Sequence, residues 1–330
     1  MNIAIEVKNL TKNFKLRKKG QGSFKSFFMP EFTLSEAVRN LSFSLEQGER
    51  VAFVGPNGAG KSTTIKMLCG ILHPDSGDVQ INGLTPWIDR SALARQIGTV
   101  FGQRSQLWYH LPASDTFDML TYAYELDPLI AKRRIAELLE AFAATDLVHR
   151  PVRQLSLGER MRCEIIASLI HKPKILFLDE PTVGLDVVSK GVIRDLVRQT
   201  SDVDGTTVLL TSHDTGDMER VCDRVIVIDH GQIVTDQKVK DLRSSYIREK
   251  VVTIAMKEPE IDLDLAGVRV LEKMPHHLKL AVSTDETSIE ALLQAVMPKT
   301  GFDDLTIEDP SAEDIIKEIY RRSGLSNLAA

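Results

Sequence analysis

The sequence predicts an α/β core followed by a small α+β domain, and three observations carry that reading. Short apolar runs alternate with segments of helical periodicity, as they do where helices flank a buried sheet. A glycine-rich stretch, "VGPNGAGKSTT", lies between an apolar run and a helical one. The character of the chain changes after Leu242, which divides it into domains 1–242 and 243–330.

The elements follow in order. "IAIEVKNL" and "VRNLSFSL" alternate as half-exposed antiparallel strands do. Between Lys15 and Phe28 an insertion carries Lys15, Arg17, Lys18, Lys19 and Lys25 without an acid, interleaved with Phe24, Phe27 and Phe28. Such a pattern suits anionic lipid or a membrane subunit, and suits a solvated loop equally. "RVAFVG" (50–55), "ILFLDE" (175–180), "TTVLLTS" (206–212) and "RVIVID" (224–229) read as buried strands. Strands stop between 105 and 150, where "DPLIAKRRIAELLEAFAATDL" sets Leu129, Ile130, Ile135, Leu138 and Leu139 on one apolar side. An inserted helical subdomain over about 105–172 is the expectation. It includes a helix from Arg160 with Met161, Ile165, Ile166, Leu169 and Ile170 at helical spacing. The polar loop "LSLGE" enters that helix, where unpaired N–H groups favour an anion. Beyond Leu242, "KVVTIAM", "VRVLEKM", "LKLAVS" and "LTIED" are strands. "SIEALLQAVM" is a helix, as is "SAEDIIKEIYRR", capped by Asp309 or Ser311.

Bulk properties narrow the function. With 41 Lys plus Arg against 46 Asp plus Glu, the net charge of −5 lacks the electrostatic footprint of a nucleic-acid binder, so no nucleic-acid partner is expected. The three cysteines, Cys69, Cys163 and Cys222, lie far apart in apolar or helical surroundings and read as reduced thiols. No run approaches the ~18 apolar residues of a membrane span, so a membrane role would come through a partner.

The chemistry begins at Gly55–Ser62, which satisfies G-x-x-x-x-G-K-S after a strand and before a helix. In this phosphate loop Gly55, Pro56, Asn57, Gly58, Ala59, Gly60 and Thr63 surround the nucleotide, and backbone N–H groups wrap its phosphates. Lys61 brings charge to the β and γ groups, and Ser62 can ligate Mg²⁺. Downstream, "ILFLDE" ends in two carboxylates: Asp179 would reach the magnesium and Glu180 would polarise the attacking water.

Over residues 3–240 the chain resembles the nucleotide-binding subunits of ATP-binding cassette (ABC) transporters. That resemblance implies a P-loop NTPase core with an antiparallel β subdomain and an inserted helical subdomain. It implies hydrolysis of ATP with Mg²⁺, in a homodimer or heterodimer that sandwiches two nucleotides. By similarity, Gln103 of "FGQRSQLW" touches magnesium and water, and Asp186 of "GLD" lies in a loop crossing the dimer interface. His213 of "TSHD" is the switch histidine, and Phe14 of "LTKNF" stacks on the base. His276 and His277 match no such pattern and read as structural or surface residues. "LSLGER" occupies the signature position, which in this family binds the γ-phosphate held by the other subunit. Ser156 and Gly158 keep that motif, whereas Leu157 and Glu159 replace its usual glycine and glutamine. A carboxylate at 159 is expected to turn outward or pair with Arg160 or Arg162. The resemblance further implies an integral membrane permease as partner and a peripheral location on the cytoplasmic membrane face. Gln103–Tyr109 and the helices after it would receive the permease; core packing is the alternative for Trp108 and Tyr109. The ending "LTIEDPSAEDIIKEIYRR" resembles the tail of ABC-2 type exporters of drugs, polyketides and lipids. Sugar importers carry appended regulatory domains too, and soluble cassettes acting on ribosomes or DNA are a rival class, usually with two cassettes per chain.

Overall fold

The computed structural model describes residues 2–17, 32–102, 104–244, 249–259, 261, 263–309 and 312–322. Gln103, Ser311 and the basic insertion beyond Arg17 lie outside these. The chain divides into two compact units, Met1–Gln237 and Lys238–Ala330. The sequence-based boundary after Leu242 falls slightly inside the second.

The first unit runs β1 (Ile3–Arg17), β2 (Phe32–Glu46), β3 (Arg50–Val54), α1 (Lys61–Leu68), β4 (Ser76–Ile81), α2 (Arg90–Ala94) and β5 (Ile97–Phe101). It continues with α3 (Ala113–Ala123), α4 (Pro128–Ala141), α5 (Leu157–Leu169), β6 (Ile175–Asp179) and α6 (Val187–Asp204). It closes with β7 (Thr207–Ser212), α7 (Thr215–Val221), β8 (Arg224–Asp229) and β9 (Gln232–Lys238). One sheet has the order β2-β1-β4, with both pairings antiparallel. The other has the order β5-β6-β7-β3-β8-β9, in which β3, β5, β6, β7 and β8 pair in parallel. Val51, Phe53, Phe177, Leu209 and Ile226 are fully buried, as parallel strands covered on both faces must be. Ile5, Val7 and Leu10 of β1, with Leu41 and Leu45 of β2, join Phe53, Ile65 and Leu68 in one core. That shared core fixes the antiparallel sheet against the phosphate loop.

The helical insertion begins at α3. Asp127 caps α4 by accepting from the Leu129 and Ile130 N–H groups at 2.9 and 3.0 Å, with Pro128 in the first turn. The buried face of α4 is Ala131, Arg134 and Leu138, whereas Leu129 and Ile130 are 80% and 66% exposed. Those two residues therefore leave the apolar side expected from sequence: the capped first turn points them at solvent. Ile135 and Leu139 line a cavity of about 500 Å³ with Phe117, Thr121 and Tyr122 of α3. In α5, Met161, Ile165, Ile166 and Leu169 are buried at the expected spacing.

The second unit contains α8 (Val239–Ser244), β10 (Glu249–Met256), β11 (Val268–Met274), β12 (His277–Ser283), α9 (Ile289–Val296), β13 (Phe302–Glu308) and α10 (Ala312–Arg322). Its antiparallel sheet has the order β11-β12-β10-β13. Val252, Ile254, Leu278, Leu280 and Val282 form a core with Leu292 and Val296 of α9. Asp309, one of the two candidate caps of α10, is engaged by Lys250 at 2.5 Å. His276 occupies the β11–β12 turn at φ 62, and its Nδ1 is 3.3 Å from the Met256 carbonyl. Among the described residues, no helix is long and apolar enough to cross a membrane.

Candidate active site

Parallel strands deliver their functional residues at their carboxyl ends, and here β3, β6 and β7 end side by side. After β3 the chain passes Gly55–Gly60 into α1. Gly60 has φ 103, and a Cβ there would lie 2.4 Å from the Ala37 carbonyl oxygen, so only glycine suits this corner. Lys61 is 5% exposed, and its Nζ donates to the carbonyls of Gly55 at 2.7 Å and Pro56 at 3.3 Å. Phe14, Asn57, Gly58, Ala59, Gly60, Lys61, Ser62, Thr63 and Glu180 line one cavity of about 310 Å³. Phe14 is 37% exposed and carries the Lys12 ammonium 5.9 Å from its ring centre.

The β6 end faces this loop. Asp179 Oδ1 accepts from the Ser62 hydroxyl at 2.9 Å and from the Thr211 hydroxyl at 2.6 Å. Glu180 lies 3.4 Å from Lys61 Nζ and 3.8 Å from His213 Nδ1. Its backbone is left-handed, φ 53, a conformation that costs a non-glycine residue about 1–3 kcal/mol. Thr211 holds it there: the Glu180 N–H donates to the Thr211 hydroxyl at 3.0 Å and to its carbonyl at 3.1 Å. Two further residues without a sequence signal complete the frame. Gly102 donates its N–H to the Asp179 carbonyl at 2.9 Å, and a Cβ on it would lie 2.5 Å from the Glu180 carbonyl oxygen. Asp217, fully buried, accepts from the hydroxyls of Thr182 and Ser212, each at 2.6 Å, and from Arg194 Nε at 2.6 Å. It thereby ties the segment after Glu180 to the segment before His213.

Ser156 begins α5 some distance along the chain. Its hydroxyl accepts from the Glu159 N–H at 3.2 Å, while its own N–H donates to Glu159 Oε2 at 2.7 Å, a reciprocal capping box. Arg150 donates to Glu159 Oε1 at 3.3 Å. The expected partners Arg160 and Arg162 do not engage it; Arg162 is drawn to the Phe142 and Ala143 carbonyls that end α4. The Ser156 N–H first, then Arg150, holds the Glu159 carboxyl below the usual carboxylate range. A Cβ on Gly158 would lie 2.7 Å from Ser189 Oγ. Ser189 in turn donates its hydroxyl to Asp186, the cap of α6, at 2.6 Å. Farther along α5, buried Glu164 accepts from the Ser105 hydroxyl and from the Gln106 N–H at 3.1 Å. Burial pushes its carboxyl up. Trp108 and Tyr109 are 46% and 55% exposed rather than core.

Comparison with known proteins bears on this arrangement. The family model described as "ABC transporter" matches residues 38–183. The linearmycin resistance ATP-binding protein LnrL of Bacillus subtilis (strain 168) is 30% identical over 295 residues, which are 87% of this chain and 94% of that protein. The daunorubicin/doxorubicin resistance ATP-binding protein DrrA of Streptomyces peucetius is 36% identical over 211 residues, 64% of this chain and 63% of that one. Among solved structures, the ATP-binding cassette MJ0796, a dimer in a post-hydrolysis state with ADP and Pi, aligns with a TM-score of 0.61 at 26% identity. That alignment covers 71% of this chain and 98% of the cassette.

Proposed function

The chain belongs to the ABC transporter family as an ATP-binding, ATP-hydrolysing subunit, and from that premise we propose how its residues divide the work. The observation that carries the proposal is the convergence of Lys61, Ser62, Asp179, Glu180 and His213 where three parallel strands end. Lys61 meets the β- and γ-phosphate oxygens, for which its buried ammonium is already oriented over the loop. Glu180 takes up the proton of the attacking water. His213, beside Glu180, reaches the γ-phosphate. Phe14 stacks on the base at the open side of the same cavity.

The donor set fits Mg²⁺. This small cation takes one or two carboxylates plus substrate oxygens and keeps its waters, and Ser62 with Asp179 offers one hydroxyl and one carboxylate. When bound, the cation neutralises charge across the β- and γ-phosphates. Gln103 is assigned the family's role toward that cation, though it lies outside the described residues.

Ser156, Gly158 and Asp186 serve the nucleotide of a second subunit. Exposed Leu157, Val183, Val187 and Val188 border them, an apolar margin that a second cassette would cover. The permease docks on the helical insertion, at the α3–α4 cavity and the exposed Trp108–Leu111 stretch. That stretch is stitched to the approach to Ser156: the Val152 N–H donates to the Leu111 carbonyl at 3.0 Å and the Arg153 N–H to the Tyr109 carbonyl at 2.9 Å. Through the permease the subunit sits on the cytoplasmic membrane face, and the resistance proteins among its relatives support export.

The composite site is tested in a Glu180→Gln background, where closed dimers accumulate. Chains carrying Lys61→Ala are mixed with chains carrying Ser156→Arg. Verified heterodimers should trap one ATP where neither parent traps any. Heterodimers that trap none would sink the assignment of Ser156 to the neighbour's nucleotide.

A further inference from the structure

A carboxylate within the motif that faces a polyanion requires an explanation, and the chain supplies one outside the motif. Both Glu159 oxygens are turned back onto their own subunit: Oε2 accepts from the Ser156 N–H at 2.7 Å and Oε1 from Arg150 at 3.3 Å. The 3-10 turn Val152–Gln154 lies between Arg150 and the start of α5. A second guanidinium contact, Nη2 to the Gln154 carbonyl at 2.9 Å, fixes the arginine on the loop that leads into Ser156. The carboxylate is 24% exposed and the arginine 44%, so water screens the pair in the isolated subunit, where it is worth little. Covering that margin with a second subunit removes the water and brings phosphate charge close, and the same pair then matters more.

We infer that Arg150 is a positioning residue of the composite nucleotide site: it neutralises and restrains Glu159, so that an acid at this motif position does not repel the partner-held γ-phosphate. The inference rests on the reading of Ser156 and its neighbours as the half-site for the other subunit's nucleotide. It assigns the chain a matched pair, an acid inside the motif and a base nine residues before it. Glutamine at 159 would need no such partner, since its carbonyl oxygen can still accept from the Ser156 N–H and complete the capping box.

The test is a cycle of Arg150→Gln, Glu159→Gln and the double variant, each in the Glu180→Gln full-length chain. The readout is the Mg-ATP concentration giving half-maximal closed dimer by light scattering. With Glu159 present, Arg150→Gln should raise that concentration roughly fivefold to tenfold, and by less at high salt, where exposed charges are screened. In the Glu159→Gln background, the same Arg150→Gln change should cost less than about twofold, the loss of a screened surface contact. An Arg150→Gln effect of equal size in both backgrounds would make the arginine a loop anchor through Gln154 and overturn the inference. No effect in either background would overturn it as well. Failure of the underlying half-site is read separately: Ser156→Arg homodimers that trapped ATP like their parent would remove it, whatever Arg150 does.

Discussion

Thr211 shows how a residue with no motif of its own can govern the chemistry. Its hydroxyl donates to Asp179 and accepts from the Glu180 N–H, so one side chain orders the Asp179 carboxylate and holds Glu180 in a left-handed backbone. Thr211→Val keeps the shape and removes both hydrogen bonds. Losing about 1–1.5 kcal/mol of orientation at Glu180 should lower kcat about tenfold while ATP affinity stays within about twofold. Steady-state hydrolysis beside equilibrium ATP binding checks this, and Thr211→Ser should recover most of the loss. An affinity loss as large as the kcat loss would show that Thr211 shapes the binding cavity instead. Sequence motifs could name Lys61, Ser62, Asp179 and Glu180, because each stands beside a strand end in a recognisable pattern, and the family resemblance added His213. Thr211, Asp217, Gly102 and Arg150 were illegible because their roles arise from approach through space. Gly102 is required by a carbonyl at position 180, and Arg150 by an acid reached only after a turn.

At the scale of elements, the sequence revealed the strands buried on both faces, whose apolar runs are unbroken, and half-exposed strands such as β1 and β2, whose apolar and polar residues alternate. β4, β5 and β9 escaped. "SGDVQI" and "QIVTDQK" are half polar, and "IGTVF" is interrupted by Gly98, where a Cβ would lie 2.4 Å from the Ser168 carbonyl oxygen at the end of α5. The apolar stripe of α4 was legible, its division was not: Leu138 packs inward while Ile135 and Leu139 open onto the α3 cavity. That division predicts a separable phenotype. Leu139→Glu should leave ATP binding within about twofold yet weaken retention on permease-bearing membranes about tenfold or more, as loss of a central interface contact does. Co-sedimentation with those membranes measures it. Undiminished retention would move the docking surface off this cavity.

For the whole molecule, each unit has its own buried core, which predicts two unfolding events in the intact chain. Mg-ATP at about 100 times its Kd should stabilise the transition of residues 1–237 by about 2.7 kcal/mol and leave the other in place. Calorimetry resolves the pair; a joint shift would mean that the units unfold as one cooperative body. Residues 1–237 expressed alone should accordingly retain ATP binding to within about threefold, because every described residue assigned to the nucleotide lies there.

The contact between Gly158 and Ser189 carries a lesson about history. Even with the Ser189 hydroxyl removed, a Cβ at 158 would still stand 3.0 Å from the Ser189 Cβ, so the glycine is fixed by the chain's own seam. A descendant of this protein that lost its nucleotide, its neighbour or its transporter would still meet that seam, and any larger residue at 158 would have to displace Ser189. The persistence of Gly158 in a lineage would therefore record the architecture, whereas Ser156, whose hydroxyl does no more here than cap a helix, is free to drift to another capping residue once the ligand is gone.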